Sequence, residues 1–365
     1  MRHKQPDSYG ATLLTMVMVC VLRAQAVRGV PSVEDCMRIL VADRLPDHLV
    51  STLRSAGHEC VVNPSLSDAT LPGAVGGVEI LVVRSTKVTA DTLAAGDSLR
   101  LVVRAGSGTN TIDCEEATRR GVLVANVPGR NAVAVAELTM GLLLAVDRAI
   151  PDQTIELRAG HWHKKRFGTV GRGLYGRRIG IVGLGNIGLA VAERAAAFGM
   201  RLSAQAKASR SEDASRRIDQ LGIELVPDLV TLASTVDVLT LHVPLTAETR
   251  GMVGVDVLDA LPPGAVLLNT ARAEVVDTEA LMARLDEGRL KAGLDVFPQE
   301  PDSGTARWTS ALAAHRSVVA THHVGASTEQ AQDAVSAGVV EIITAFGDGD
   351  LVNVVNSPAR AGAVR

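Results

Sequence analysis

RIGIVGLGNIGLAVAERAAAFGMRLSAQA, residues 178–206, predicts a strand, a glycine-rich turn, a helix and a second strand. Ile179–Val182 is a short apolar run, and Gly183, Gly185 and Gly188 follow it at the spacing of a dinucleotide-binding fingerprint. In that fingerprint the first glycine allows a tight turn, the second lets backbone amides approach a pyrophosphate, and the third lets helix and strand pack closely. The stretch therefore predicts half of a dinucleotide site at the positive end of a helix.

A second glycine set, Gly171, Gly173 and Gly176 in GRGLYG, has the same spacing. No apolar strand precedes it, and a strand follows it where a helix is required, so we reject it as a nucleotide site. The glycine spacing alone arises by chance in a chain with 34 glycines. The flanking strand and helix are what favour Gly183–Gly188 over a purely structural turn.

Composition bounds the class of protein. The chain has 365 residues, 47% of them hydrophobic, which is enough for two domains. Its net charge of −3 indicates no broad basic surface for binding nucleic acid. The basic cluster His161–Arg166 (HWHKKR) predicts a solvated link, with steering of an anionic substrate as the alternative. Cys20, Cys36, Cys60 and Cys114 have neither CxxC spacing nor neighbouring histidines, which argues against a structural metal and a disulfide scaffold and fits a reducing compartment.

The first 36 residues imitate a secretory signal, with a basic start, the apolar run Ala11–Leu22 and an A-x-A site at Ala24–Ala26. The run is too short to cross a bilayer. Asp7 ahead of the run, and a credible first strand from Met37, favour an extension foreign to the fold, with a targeting peptide as the alternative. We therefore expect a cytoplasmic protein that does not enter a membrane.

From Met37 onward, predicted strands and helices alternate as in a parallel-sheet protein. The strands are Arg38–Ala42, Glu59–Val62, Ile80–Val83, Leu101–Val103, Val122–Ala125, Val236–Leu241, Val266–Leu268, Lys291–Leu294 and Ser317–Ala320, and the helices lie at about Asp47–Ala56, Asp113–Arg120 and Thr328–Ala345. A long helix, about Ala132–Ala149, has apolar residues on several faces, which predicts burial against another lobe or subunit. The apolar tail Leu351–Val355 has no partner nearby in sequence, so we predict that it returns to the first lobe and makes that lobe discontinuous.

Polar residues follow several strand ends, which is where ligands bind in an open parallel sheet. The planar guanidinium of Arg272 can bind a carboxylate through two hydrogen bonds. His323 can exchange a hydroxyl proton near neutral pH, and Glu300 can accept a hydrogen bond from the other imidazole nitrogen. Asp295 could hold a nicotinamide amide. Singly, each of these residues has an ordinary structural explanation as a cap, a turn acid or a satisfied histidine. Their joint placement predicts hydride transfer on an alcohol beside a carboxylate.

Seven motifs in the same order resemble those of the D-isomer-specific 2-hydroxyacid dehydrogenases, over about Met37–Pro358. They are VRSTKV at Val83–Val88, RAGSG at Arg104–Gly108, ELT at Glu137–Thr139, GLGNIG at Gly183–Gly188, NTARAEVVD at Asn269–Asp277, GLDVFPQEP at Gly293–Pro301 and HHVGAST at His322–Thr328. Several ordered motifs are far more specific than any single one.

The resemblance implies roles for particular residues. Arg272 would orient the substrate, Glu300 would be the partner of the histidine, and His323 would donate or accept the proton. The implied cofactor residues are Gly183, Gly185, Asn186, Ile187, Gly188, Ala206, Val243, Pro244, Thr270, Ala271, Asp295 and Gly325, and the implied substrate residues are Arg84, Ser85, Ser107 and Gly108. We expect no metal. The resemblance implies a homodimer built on the long helix.

The resemblance also implies the architecture, an α/β fold with two doubly wound parallel-sheet lobes. A Rossmann cofactor domain is inserted into a discontinuous, flavodoxin-like substrate domain. The expected boundaries are 1–36 for the extension, 37–131 for the first part of the substrate domain, 132–324 for the Rossmann domain, 325–358 for the return segment and 359–365 for the tail.

Departures from the family pattern affect cofactor and substrate choice. Ala206 stands where an acid often binds the adenosine ribose. NAD remains the expected cofactor. NADP is possible because this acid is missing and Lys207 and Arg210 are close by in the sequence. His322 stands where proline is usual, Ala273-Glu274 replaces Gly-Gly, and Thr109–Thr111 replaces Val-Asp-Asn.

Within the family, the resemblance is nearest to the branch that oxidises 3-phosphoglycerate to 3-phosphohydroxypyruvate in L-serine biosynthesis. A hydroxypyruvate or glyoxylate reductase is the alternative enzyme, and an NADH-sensing corepressor is the alternative of another class. The chain ends about 15 residues after Leu351, so we expect no serine-sensing regulatory domain.

Overall fold

The computed structural model describes residues 36–207, 210–301 and 305–356, and these residues form two parallel sheets with apolar layers on both faces. Most of the predicted N-terminal extension and the whole predicted tail lie outside the described residues. Among the described helices, none combines the length and the apolar character that a membrane span requires.

The first sheet has the flavodoxin-like strand order that the resemblance implied, β2-β1-β3-β4-β5, with every pair parallel. Its strands are Arg38–Val41 (β1), Glu59–Val62 (β2), Ile80–Val83 (β3), Leu101–Arg104 (β4) and Leu123–Asn126 (β5), and its helices are Asp47–Ser55 (α1), Ala90–Ala95 (α2) and Cys114–Arg119 (α3). Successive residues of β1 face opposite apolar layers, so this sheet is buried on both sides.

The second sheet is Rossmann-like, in the order β12-β11-β10-β9-β6-β7-β8. Its strands are Arg178–Val182 (β6), Arg201–Gln205 (β7), Glu224–Val226 (β8), Val238–Leu241 (β9), Ala265–Asn269 (β10), Leu290–Leu294 (β11) and Val318–Ala320 (β12). The accompanying helices are Ala132–Arg148 (α4), Ile150–Arg158 (α5), Lys164–Phe167 (α6), Asn186–Ala197 (α7), Glu212–Gln220 (α8), Leu229–Thr235 (α9), Val255–Ala260 (α10) and Thr278–Asp286 (α11). The strand order reverses between β6 and β9, which opens a crevice at their carboxyl ends.

Some predicted elements begin or end at other residues than the sequence indicated, and two of these differences have a clear structural reason. The strand predicted from Val236 begins at Val238, because Val236 still caps α9 and the Asp237 carboxylate accepts hydrogen bonds from Arg172 and Arg178. The long helix α4 ends at Arg148, since Ala149 has a left-handed backbone (φ 48°). It packs on α7, β10 and β11, so its apolar faces are buried largely within its own lobe.

The chain returns to the first lobe at its C-terminal end. Helix Glu329–Gly347 (α12) buries Val339 and Ile343 in the core that contains β1. Val354 forms an antiparallel bridge to Ala125, which confirms the predicted return. The apolar tail Leu351–Val355 does not form a continuous strand there: its pairing is a single bridge, because Asn353 has a left-handed backbone (φ 55°) that interrupts the extended run.

Candidate active site

The glycine turn, Gly183–Gly188, is shaped by positions that leave no room for side chains. Gly183 has φ +95°, and a Cβ there would lie 2.6 Å from the carbonyl oxygen of His242. A Cβ at Gly188 would overlap the carbonyl oxygen of Gly183. At Gly185, by contrast, no described atom would lie within 4 Å of an added Cβ, so the space in front of α7 is open. This geometry fits a pyrophosphate bound by backbone amides at a helix N-terminus.

The end of β7 carries a cation where an acid would select NAD. Ala206 is exposed directly after the strand. The Arg210 guanidinium folds back over it and donates to the carbonyl oxygens of Gln205 (2.7 Å) and Lys207 (3.3 Å). These two bonds hold the Arg210 guanidinium at the end of the strand.

The other predicted cofactor residues lie at neighbouring strand ends of the same sheet. Asn186 begins α7, and its side chain contacts Gly129 in the link between the lobes. Val243 and Pro244 follow β9, and Thr270 and Ala271 follow β10. The Thr270 hydroxyl is 3.0 Å from the hydroxyl of Thr139 in α4. The fold thus gathers these residues along one edge of the second sheet.

Arg272 is held by the turn that follows β10 and reaches across to the first lobe. The Asn269 side chain accepts from the Ala271 N–H (3.0 Å) and donates to the Arg272 carbonyl oxygen (2.8 Å), which fixes the turn. Arg272 Nη1 donates to the Ala271 carbonyl oxygen at 2.6 Å. A Cβ added at Gly108 of the first lobe would lie 2.8 Å from Arg272 Nη2, so the two predicted residues are adjacent.

His323 and Glu300 form a pair, with Nδ1 of the imidazole 2.6 Å from the carboxylate Oε2. The other carboxylate oxygen of Glu300 accepts from the Phe297 N–H, also at 2.6 Å. Partial burial acts to raise the pKa of Glu300, but the hydrogen bonds from His323 and Phe297, with the positive charge of Arg272, outweigh it and lower that pKa overall. His322 is exposed in the same cleft, so the contact with Glu300 distinguishes the two histidines.

Asp295 performs a task that the sequence did not predict. Its buried carboxylate accepts from the Thr321 hydroxyl (2.6 Å), the Val324 N–H (2.9 Å) and the Gly325 N–H (2.8 Å). These bonds anchor both sides of His323, which has a left-handed backbone with φ 51°. Asp295 therefore positions the loop that carries the histidine, and its contact with a nicotinamide amide stays a prediction.

Three guanidinium groups, those of Arg84, Arg104 and Arg272, meet in the cleft and are called the arginine cluster below. Arg104 was not predicted as a site residue, although it opens the RAGSG motif. Burial, followed by the charges of Arg272 and Arg84, lowers the pKa of Arg104 to about 10. Asp43 at the end of β1 offsets part of this repulsion and accepts from the Arg84 N–H at 2.6 Å. A cation cluster of this kind favours an anionic ligand.

The predicted serines are already hydrogen-bonded within the protein. The Ser85 hydroxyl donates to Asp43 Oδ1 at 2.7 Å, and the Ser107 hydroxyl donates to Asn131 Oδ1 at 3.2 Å. Each hydroxyl can therefore only accept a hydrogen bond from a substrate. Gly108 lines the cleft, whereas Ser107 does not.

The cleft, of about 1160 Å³, is lined from both lobes by the arginine cluster, Glu300 and His323. Trp308, which the sequence did not single out, also lines it. Its Nε1 donates to the Gln299 carbonyl oxygen (3.0 Å), and its ring meets the Phe297 ring edge-on at 5.5 Å. Trp308 thereby holds the turn that presents Glu300.

This geometry agrees with comparisons to known proteins. Residues 140–325 match the model of the D-isomer specific 2-hydroxyacid dehydrogenase NAD-binding domain. The chain is 40% identical over 325 residues to D-3-phosphoglycerate dehydrogenase of Methanocaldococcus jannaschii, with 88% of this chain covered and 60% of that protein. It is 40% identical over 308 residues to hydroxypyruvate reductase of Thermotoga maritima, with 84% of this chain covered and 97% of that protein.

A solved structure of a glyoxylate/hydroxypyruvate reductase from Sinorhizobium meliloti, in complex with NADP and malonate, is also similar. Its TM-score is 0.75 at 32% identity, with 88% of this chain and 97% of that chain covered. The chain spans about three fifths of the length of the phosphoglycerate dehydrogenase that it matches. By its sequence and its two-lobed fold, this chain belongs to the D-isomer-specific 2-hydroxyacid dehydrogenases.

Proposed function

We propose that the chain oxidises D-3-phosphoglycerate to 3-phosphohydroxypyruvate, the first step of L-serine biosynthesis, with a nicotinamide dinucleotide as hydride acceptor. The observation that carries the substrate is the arginine cluster beside the His323–Glu300 pair. One guanidinium suffices for a carboxylate. With Arg272 assigned to the carboxylate, Arg84 and Arg104 are left for a second anion, and a phosphate suits them because it carries close to two negative charges at neutral pH.

The described side chains can perform the proton chemistry. Arg272 would bind the substrate carboxylate in a bidentate fork and so direct the adjacent hydroxyl toward His323. Because Nδ1 of His323 faces Glu300, the opposite nitrogen, Nε2, is the one available to accept the hydroxyl proton. The Glu300 carboxylate then stabilises the imidazolium that forms. A bound NAD or NADP supplies the other half of the chemistry by accepting a hydride from C2.

We propose NAD as the principal cofactor, with NADP also accepted. Ala206 neither binds the ribose 2′-hydroxyl nor repels a 2′-phosphate. The Arg210 guanidinium at the end of β7 could face such a phosphate, since it already lies over the strand end. The NADP complex of the NADPH-dependent Sinorhizobium meliloti relative supports acceptance of NADP within this fold.

We also propose that two copies form a homodimer built on the long helix α4, together with the segment that follows it. Ile155, Leu157 and Trp162 are 63%, 56% and 77% exposed, and a second copy would cover them. Sedimentation of the purified chain should give the mass of a dimer, and Trp162→Ser should shift it toward the monomer.

A hydroxypyruvate or glyoxylate reductase is the second candidate, favoured by the Thermotoga maritima relative, which this chain matches over 97% of that protein's length. The deciding experiment is a panel of 2-hydroxy and 2-keto acids, assayed with NAD(H) and NADP(H) on one preparation. We expect the highest kcat/KM for D-3-phosphoglycerate and its keto acid. A higher value for hydroxypyruvate or glyoxylate would establish the second candidate, and absence of turnover on the whole panel would favour a binding protein such as a corepressor.

A further inference from the structure

A cluster of metal-ligating side chains lies outside the cleft, where α5 ends and α6 begins. Glu156, His161 and His163 each offer one ligand atom, and these atoms all lie within 4.8 Å of one another. His161 Nδ1 is 2.9 Å from Glu156 Oε2, and His163 Nε2 is 3.5 Å from the same oxygen. None of the three residues lines the cleft.

Local sequence creates this arrangement. Helix α5 ends at Arg158, and Gly160 takes a left-handed backbone (φ +80°) two residues later. The chain reverses there, and the His161 N–H donates to the Glu156 carbonyl oxygen at 2.9 Å, which is the six-residue bond of a Schellman helix end. His163 then caps α6 and returns to the same carboxylate. The backbone therefore holds His161 beside Glu156 without any help from a ligand.

The donor set and spacing suit a transition-metal ion. Zinc binds histidine nitrogen and carboxylate oxygen at roughly 2.0–2.2 Å in a tetrahedron, which places neighbouring ligand atoms about 3.4 Å apart. The two observed separations, 2.9 and 3.5 Å, lie on either side of that value. Two histidines and one glutamate also leave a fourth position for water.

The second oxygen of the carboxylate is already oriented. Glu156 Oε1 accepts from Arg166 Nη1 at 3.0 Å, so Oε2 is the oxygen that faces the histidines. Outer hydrogen bonds of this kind commonly fix ligating carboxylates. We propose that Glu156, His161 and His163 bind one divalent transition-metal ion, Zn²⁺ by the chemistry of its donors, and that this ion ties the end of α5 to the start of α6.

This site is separate from the proposed reaction, so the two can fail independently, but its ligands lie in the segment that we propose a second copy covers, so sedimentation of each preparation accompanies the binding experiment. The purified full-length chain, stripped of metal with a chelator, would be titrated with ZnCl₂ by calorimetry and, in parallel, with CoCl₂, whose visible absorption reports tetrahedral coordination. We expect one equivalent to bind with Kd in the micromolar range or below, and Tm to rise because the metal binds the folded state. Turnover should be the same with and without zinc.

Variants assign the binding to these residues. His161→Ala, His163→Ala and Glu156→Gln should each weaken Zn²⁺ binding at least tenfold and abolish the tetrahedral cobalt spectrum. His48→Ala is the matched control, because His48 is also exposed and lies 3.7 Å from a carboxylate, that of Asp333. Glu156→Gln keeps the side-chain shape, so it tests the charge if a histidine variant folds poorly.

Two results would overturn the proposal: no zinc uptake by the stripped chain, or uptake that all three variants leave unchanged. In either case the contacts are ordinary side-chain contacts between the histidines and Glu156. In the second case the zinc is bound elsewhere, such as at an exposed thiol.

Discussion

The two sides of the active-site cleft are built on different principles. On the cofactor side, the glycine turn is defined by missing side chains, since a Cβ at Gly183 or Gly188 would strike backbone. On the substrate side, the arginine cluster is defined by long charged side chains that come from both lobes. Backbone geometry is encoded in a few consecutive residues, whereas a charge cluster exists only after the chain has folded. The glycine turn can therefore be predicted from one stretch of sequence, and the arginine cluster cannot.

The largest effect should come from His323, the proposed proton-transfer residue, which lies where the two sides meet. We expect His323→Gln to lower kcat by roughly 10²–10⁴, the usual size of a lost general acid or base, while Kd for the cofactor stays nearly unchanged. His322→Gln is the control and should do much less, because the Glu300 carboxylate contacts His323. Steady-state kinetics with cofactor titrations on both variants would check this, and exchanged effects would reassign the histidine.

Two alanine substitutions should separate the tasks of the glycine turn. Gly185→Ala has open space and an ordinary backbone (φ −84°), so the fold should be kept while the methyl group obstructs the pyrophosphate. We expect its cofactor Kd to rise by about tenfold or more, equivalent to about 1.4 kcal/mol, with Tm nearly unchanged. Gly188→Ala should instead lower stability by about 1–3 kcal/mol, because its Cβ would overlap the Gly183 carbonyl oxygen. Identical behaviour of the two variants in melting and binding experiments would contradict this division.

Cofactor choice should be nearly balanced, because the end of β7 offers a cation and lacks an acid. We expect kcat/KM for NAD and NADP to differ by less than roughly tenfold, about 1.4 kcal/mol. Arg210→Gln should move the ratio toward NAD, whereas Arg216→Gln, on the exposed face of α8, should not. A wild-type preference for NAD above roughly a hundredfold would mean that another residue replaces the missing acid.

The smallest effect is on stability and concerns the Glu300 carboxylate. Because the folded-state pKa of Glu300 is lowered, its ionised form contributes stability above the unfolded pKa of about 4.3, and that contribution is lost as pH falls through the folded value. Wild type should therefore melt at a higher Tm than Glu300→Gln near neutral pH, where the difference is largest, and this difference should shrink steadily below about pH 4. A difference that does not vary with pH would show that the charge of Glu300 is not what stabilises the loop.

The sequence predicted the fold closely because its signals are local. Alternating apolar runs and capping residues specify both sheets, and even the return of the chain to the first lobe was predicted. The errors arose where backbone conformation overrides an apolar pattern, as at Asn353, which interrupts the last extended run.

The site was predictable only in part. His323, Glu300 and Arg272 each follow a strand, so topology brings them to one edge. Arg104 was missed because a buried arginine acquires its meaning from Arg84 and Arg272, which are distant in sequence. Asp295 was predicted as a cofactor residue, but only the folded loop shows that it binds three groups on either side of His323.

The most direct measurement for the substrate side compares kcat/KM for D-3-phosphoglycerate with that for D-glycerate, which differs only by the phosphate. We expect the wild-type ratio to be at least about a hundred, and Arg104→Met to lower it by roughly 10- to 100-fold, the size of a lost charge-assisted hydrogen bond of about 1.5–3 kcal/mol. Arg100→Met is the control, because this arginine lies in the same lobe but pairs with Glu79 outside the cleft. A wild-type ratio near one, or a ratio that Arg104→Met and Arg100→Met change equally, would contradict the assignment of the arginine cluster to a phosphorylated substrate.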